Sequence, residues 1–204
     1  MKTCCMARSP RWPLFIGLAV IALFAVSWAV DAQDAEPAPG PELVRAQAAM
    51  DDLGQRLKAA LTQKMQAEGP VAAVGFCHEE APAIAANVAV AHGVRVGRTA
   101  VRHRSAANAP NDWQREVLEQ FASQTDVPPG QRVFARREGG QLRVARGIPV
   151  EAPCLACHGS TIAAPVQAAI TAHYPGDPAT GFAEGDLRGM FWAEVPLSTE
   201  GEAR

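Results

Sequence analysis

RVFARREGGQLRVARGIPVEAPCLACHG, residues 132–159, holds two strand-like stretches around a turn and then changes character. Arg132 to Arg137 and Gln141 to Val150 read as strands. Gly139-Gly140 between them is a tight-turn signal, so the stretch reads as a β-hairpin and its sheet as antiparallel. The hairpin runs straight into Cys154-Leu155-Ala156-Cys157-His158. Cys-x-x-Cys-His is the attachment sequence of a c-type haem. Two residues between the thiols span the porphyrin edge, and the adjacent histidine needs no further loop to meet the iron, for which imidazole is a good ligand. A disulfide redox pair would open a helix after a strand in a cytosolic α/β chain. A zinc site would need two more ligands at close spacing, and the sequence has no second Cys-x-x-Cys.

Outward from the hairpin, the chain supplies helices in front and one more strand behind. Leu43, Ala46, Met50, Leu53, Leu57, Ala60 and Leu61 recur at three- and four-residue steps, which predicts an amphipathic N-terminal helix over 42–70. Gly69-Pro70 interrupts it. A second, more apolar helix is expected over about 71–91, with Val74, Cys77, Ala81, Ile84, Ala85 and Val88 on one stripe and a kink or restart at Pro82. Val94 and Val96, with Arg98 and Ala100, suggest a strand. Pro110-Asn111-Asp112 opens a helix to about Ser123 with Trp113, Val117, Leu118 and Phe121 inward. Pro165 to Tyr174 reads as a helix, Pro175 to Gly185 as a loop, and Leu187 to Leu197 as a closing strand. Together these give an α+β domain with an antiparallel sheet.

The first residues bear on compartment. Lys2, Arg8 and Arg11 precede an uncharged, mostly apolar run from Pro13 to Val30, and short residues surround Ala32. Residues 1–32 therefore read as a secretory signal peptide; the run is also just long enough to remain as an uncleaved anchor, the one route to the membrane. Gln33 to Pro41, rich in Ala, Pro and acid, reads as a linker (33–41). After residue 32 the chain holds 16 Lys+Arg against 20 Asp+Glu, obtained by removing Lys2, Arg8, Arg11 and Asp31 from totals of 19 and 21. That balance speaks against nucleic acid. Export agrees with the haem motif, since covalent haem c attachment in bacteria takes place outside the cytoplasmic membrane. Periplasmic localisation is expected.

Of the cysteines beyond the leader, Cys154 and Cys157 serve attachment and Cys77 is left over. A loose thiol in an oxidising compartment asks for a role. A free cysteine is also often a buried small hydrophobe, and the residues alone leave both readings open. His78 and Met190 are rivals for the iron; adjacent helical residues point about 100° apart, so Cys77 and His78 cannot both face it. His92, His103 and His173 read as surface or loop histidines. Arg98, Arg102 and Arg104 lie where guanidinium groups would suit haem propionates, or else a solvated strand face. Trp113, Phe121, Tyr174, Phe182 and Trp192 are aromatic candidates for a haem wall, most of them core.

From about Val71 to Leu197 the sequence resembles the Tll-type c-haem sensor domain family, a PAS-like fold formerly a domain of unknown function. The resemblance rests on pieces in order: Cys77-His78-Glu79-Glu80-Ala81-Pro82; Gly97-Arg98-Thr99 and Arg104; Asn108-Ala109-Pro110-Asn111-Asp112-Trp113; Pro149-Val150 before the haem motif; Tyr174-Pro175-Gly176-Asp177-Pro178-Ala179-Thr180-Gly181-Phe182; and Glu184-Gly185-Asp186-Leu187-Arg188-Gly189. It implies a five-stranded antiparallel sheet flanked by helices, with one haem c held in the PAS-like pocket of a domain spanning 71–198. It also implies His158 and Cys77 as the axial pair, with Arg98 and Arg104 near the propionates. One departure is Arg104-Ser105-Ala106-Ala107-Asn108, where such domains carry Arg-Asn-Pro before the second Asn.

These readings converge on an exported monohaem c-type protein for redox or small-ligand sensing, with His/Cys axial ligation and an unknown redox or signalling protein partner. The alternative is a periplasmic electron-transfer cytochrome c. More than a hundred residues precede the motif after residue 32, unlike small cytochromes c, which place it near the N-terminus. An enzyme is not expected: a haem peroxidase would need an open iron site and a distal acid–base pair, for which His78-Glu79 alone is no case. The N-terminal helix must cover its stripe on the sheet domain or on the same helix of a second copy, as a homodimer.

Overall fold

The computed structural model describes residues 40–197. The expected leader over 1–32 lies outside them, as does the expected linker apart from Gly40 and Pro41. Among the described residues no helix is long and apolar enough to cross a membrane.

Helix α1 (Pro41–Glu79) is broken at Gly69, whose φ of 83° and ψ of 174° leave the helical region. Only glycine takes such an angle without strain, and the following Pro70 has no N–H to donate, so the break falls where the sequence put it. Helix α2 (Ala81–His92) restarts after Glu80, with Pro82 in its first turn, where the missing N–H costs nothing. Strand β1 (Arg95–Thr99) follows, then α3 (Asp112–Ser123), β2 (Val133–Glu138), β3 (Gln141–Pro149), α4 (Leu155–His158), α5 (Ala164–His173) and β4 (Leu187–Pro196). The start of α3 is a capping box: Asn111 accepts from the Gln114 N–H, and the Gln114 side chain accepts from the Asn111 N–H. Arg132, assigned by its pattern to the hairpin, lies just before β2; its guanidinium donates to the carbonyls of Phe121 and Val127 at 2.6 and 2.8 Å and so serves the end of α3.

The sheet is antiparallel in the order β1-β4-β3-β2. The α+β, PAS-like arrangement is therefore present, with a correction: the described residues form four strands, not five. The chain after β1 turns instead of pairing. Thr99 donates to the Asn108 carbonyl at 2.8 Å, and Arg102 and Arg104 donate to the carbonyls of Thr180 and Cys157. These bonds draw residues 100–108 across the end of the sheet. The departure over residues 104–108 falls there and forms a short 3-10 turn at Ala106–Asn108.

Both sheet faces are covered. Ala193 and Val195 of β4, with Leu142 and Val144 of β3, meet Ala46, Ala49, Met50, Leu53 and Leu57 of α1 and Val88 of α2 in one apolar core. Met190 and Ala145 point the other way, into a second core with Trp113, Val117, Leu118 and Phe121 of α3. This is the two-residue period of a strand expressed as two cores. The N-terminal helix over 42–70 thus shares its core with the domain placed at 71–198, and its stripe is covered within the chain.

Candidate functional site

The site forms at the end of the sheet where β1 stops and β4 starts. Strand β3 ends there in an irregular register at Ile148/Pro149 and delivers the chain to the motif. A 3-10 turn at Ala152–Cys154 leads into α4, so Cys154, Cys157 and His158 fall on little more than one helical turn. Cys157 packs beside Val74 of α1 and Val166, Ile170 and Tyr174 of the α5 region. Gly159 ends the turn extended; a Cβ there would lie 2.7 Å from the Leu155 carbonyl oxygen, so the position requires glycine.

His158 is held from two sides by the loop that follows α5. Its backbone carbonyl accepts from the Phe182 N–H at 2.9 Å, and its Nδ1 lies 2.6 Å from the Ala179 carbonyl oxygen. A carbonyl can only accept, so Nδ1 carries the proton and Nε2 is the nitrogen left for a metal. Burial, then the charges of Arg188 and Arg104, push the His158 pKa down to about 3, which keeps the ring neutral as ligation requires. The loop itself is braced. Asp177 accepts from the Ala179 N–H at 2.9 Å and from Arg104 at 2.9 Å, and Arg104 also donates to the carbonyls of Cys157 and Ala179 at 2.6 and 3.3 Å. Phe182 meets the His158 ring edge-on at 6.3 Å.

Cys77 is half-buried near the end of α1. Burial raises its thiol pKa, while Arg98 and Arg104 pull it down. Its charge bears in turn on Cys157 and Tyr174, so the leftover thiol and the attachment motif share one neighbourhood. The three thiols are free.

The arginines gather more closely than their spacing foretold. Arg104 acts as a strut for the motif and its loop. Arg98 stands near Cys77. Arg102 lies 3.7 Å from the centre of the Phe182 ring. Sequence reasoning gave no role to Arg188, which opens β4, lies 5.3 Å from the Phe182 ring and donates to the Arg102 carbonyl at 3.1 Å. Burial first, then Arg104, Arg98 and Arg102, push its pKa down to about 10, against one carboxylate, Asp177. The available signal was a cation, Arg188, just ahead of the apolar run from Met190 to Ala193. An excess of half-buried cations of this kind suits a dianionic group, as a haem with two propionates is. The donor set therefore fits a haem on four counts: paired thiols for attachment, an oriented neutral imidazole, a third thiol, and guanidinium groups for carboxylates.

Other candidates lie elsewhere. Met190 is fully buried in the α3 core with Trp113 and Phe121, and Trp192 packs against that core. Tyr174 and Phe182 do border the site. His92 bonds Asp52 at 3.1 Å, and His103 bonds the Ala100 carbonyl at 3.3 Å. His78 is exposed, against His173 and Tyr174.

A two-faced antiparallel sheet with thiols, imidazole and arginines gathered at one end defines a small α+β cofactor-binding domain. Residues 33–196 match the Tll0287-like family, described as Tll0287, and the chain belongs to that family. The match includes the front helix. Among solved structures, the chain is similar to the cyanobacterial haem-protein Tll0287, at 26% identity and a TM-score of 0.61, over 80% of this chain and 100% of that one. No curated protein sequence matches.

Proposed function

We propose that this chain is an exported monohaem c-type protein that senses redox state or a small ligand, with haem attached through Cys154 and Cys157 and His158 and Cys77 as axial ligands. The observation that carries the reading is His158: a neutral imidazole beside the paired thiols, with Nδ1 committed to Ala179 and Nε2 left for iron. Membership in a family with a haem-protein among its solved structures supports the cofactor. Bound there, the haem supplies one-electron chemistry at its iron.

The chain's residues divide the remaining work. Cys154 and Cys157 fix the group covalently. Ala179 orients His158, and the Asp177–Arg104 pair holds Ala179 in place. Arg98, Arg102 and Arg188 offer charge to the propionates. Burial keeps the free Cys77 thiol protonated, so its ionisation belongs to ligation, which deprotonates a coordinating thiol. Thiolate favours ferric iron, and the reduction potential should sit well below that of a His/Met cytochrome, on a scale where axial ligands move potentials over about 0.8 V. Cys77 lies three residues before Glu80, where α1 ends and α2 begins. Loss of its bond, on reduction or by a competing ligand, would release that helix end and provide a switch.

Two variants test this. In protein matured outside the cytoplasm, Cys154→Ala with Cys157→Ala should abolish haem staining on a denaturing gel; staining that persists rules out attachment at these thiols. Cys77→Ala should keep the stain, shift the ferric spectrum toward high spin or a substitute ligand, and raise the potential. A ferric spectrum and potential equal to the wild type would show that Cys77 is not a ligand. An electron carrier is distinguished by keeping both axial ligands in both redox states.

A further inference from the structure

Beside the proposed haem site, two helix ends bring together three metal-binding side chains that the haem reading leaves unused. His78 and Glu79 are the last two residues of α1's final turn, and His173 is the last residue of α5. One ligand atom from each lies within 4.8 Å of the others. His173 lies against Gly75, one turn before Glu79. The Nε2 of His173 lies 3.6 Å from where a Cβ at Gly75 would stand, so the histidine rests on helix surface that a larger side chain would occupy. The rings of His78 and His173 are 5.3 Å apart, and Tyr174 stands 5.3 Å from His78 on its edge. Both His78 and Glu79 are exposed, so the site is reached from solvent.

We propose that His78, Glu79 and His173 bind a divalent late first-row transition metal, with Zn²⁺ the ion of choice. Two imidazoles and one carboxylate are a borderline donor set that suits Zn²⁺, Cu²⁺ or Ni²⁺ and not the all-oxygen cations Mg²⁺ and Ca²⁺. Ligand atoms at 2.0–2.1 Å from a tetrahedral ion stand roughly 3.4 Å apart, so the trio, whose ligand atoms already lie within 4.8 Å of one another although His78 and Glu79 are neighbours on one helix, has little distance left to close. Three protein ligands leave a fourth position for water or an exchangeable ligand. The ion would clamp α1, one residue beyond Cys77, to α5, which leads into the loop that holds His158. The site needs nothing from the haem.

The test is zinc titration of tag-free, full-chain protein by calorimetry. One Zn²⁺ should bind per chain, and a hundredfold excess of Mg²⁺ or Ca²⁺ should not displace it. His78→Ala, Glu79→Gln and His173→Ala should each weaken binding at least tenfold. In the unaltered protein, Zn²⁺ should also slow diethylpyrocarbonate modification of His78 and His173 while His92 and His103 react as before. Zinc binding of equal strength in the His78→Ala and His173→Ala proteins, or unprotected histidines at saturating zinc, overturns the proposal.

Discussion

The charge of Arg188 bears on the His158 ring. Burial first, then the charges of Arg188 and Arg104, favour the neutral ring, which is why the His158 pKa is pushed down to about 3 from its ordinary 6.5. The sign follows directly. A depressed pKa means that protonation of the ring, and with it loss of the axial bond proposed above, waits for strongly acid solution. Arg188→Gln removes the largest charge acting on the ring and lets its pKa rise. The acid transition of the haem absorbance, followed from pH 7 downward, should therefore move to higher pH in that variant. A midpoint that does not move would show that Arg188 has no hold on the ring. At this scale the sequence was uneven. Cys154, Cys157 and His158 could be singled out from spacing, because a Cys-x-x-Cys-His motif is a local pattern. Arg188 and the Ala179 carbonyl could not, because they meet His158 only after the loop from Tyr174 to Phe182 folds back.

Helix α3 shows what a local signal can fix. Asn111, the reciprocal bonds with Gln114, and the inward Trp113, Val117, Leu118 and Phe121 were all legible, and the helix runs Asp112–Ser123. Asn111→Ala should cost about 1 kcal/mol in chemical denaturation, the usual worth of such a cap, with the haem spectrum unchanged. Strand β1 shows the opposite case. Its own alternation was legible, but whether a further strand paired with it was not. Arg102 and Arg104 settle that by bonding to carbonyls some fifty to eighty residues away, at Cys157, Ala179 and Thr180. Gly97 adds a constraint on β1 itself, since a Cβ there would come within 2.8 Å of the Trp192 ring on β4.

The whole molecule depends on the front helix. Leu53 is fully buried where α1 meets β3 and β4, and Gly54 lies against the Phe191 ring at 3.2 Å from its own would-be Cβ. Leu53→Ala should lower unfolding free energy by about 2–5 kcal/mol, the range for a truncated core leucine. A loss under about 0.5 kcal/mol, the scatter of surface substitutions, would mean that the helix is only a tether. The sequence by itself determined the elements, their order, the antiparallel hairpin and the Cys154–His158 motif. Each follows from periodicity, turn residues or covalent spacing within a few neighbours. Only the tertiary structure decided that α1 covers the sheet of its own chain, that the described sheet stops at four strands, and that Arg104, Arg188 and the Ala179 carbonyl bear on one imidazole. Those outcomes rest on contacts between segments far apart in the chain, and a side chain's partner across such a distance is set by packing, not by its place in the sequence.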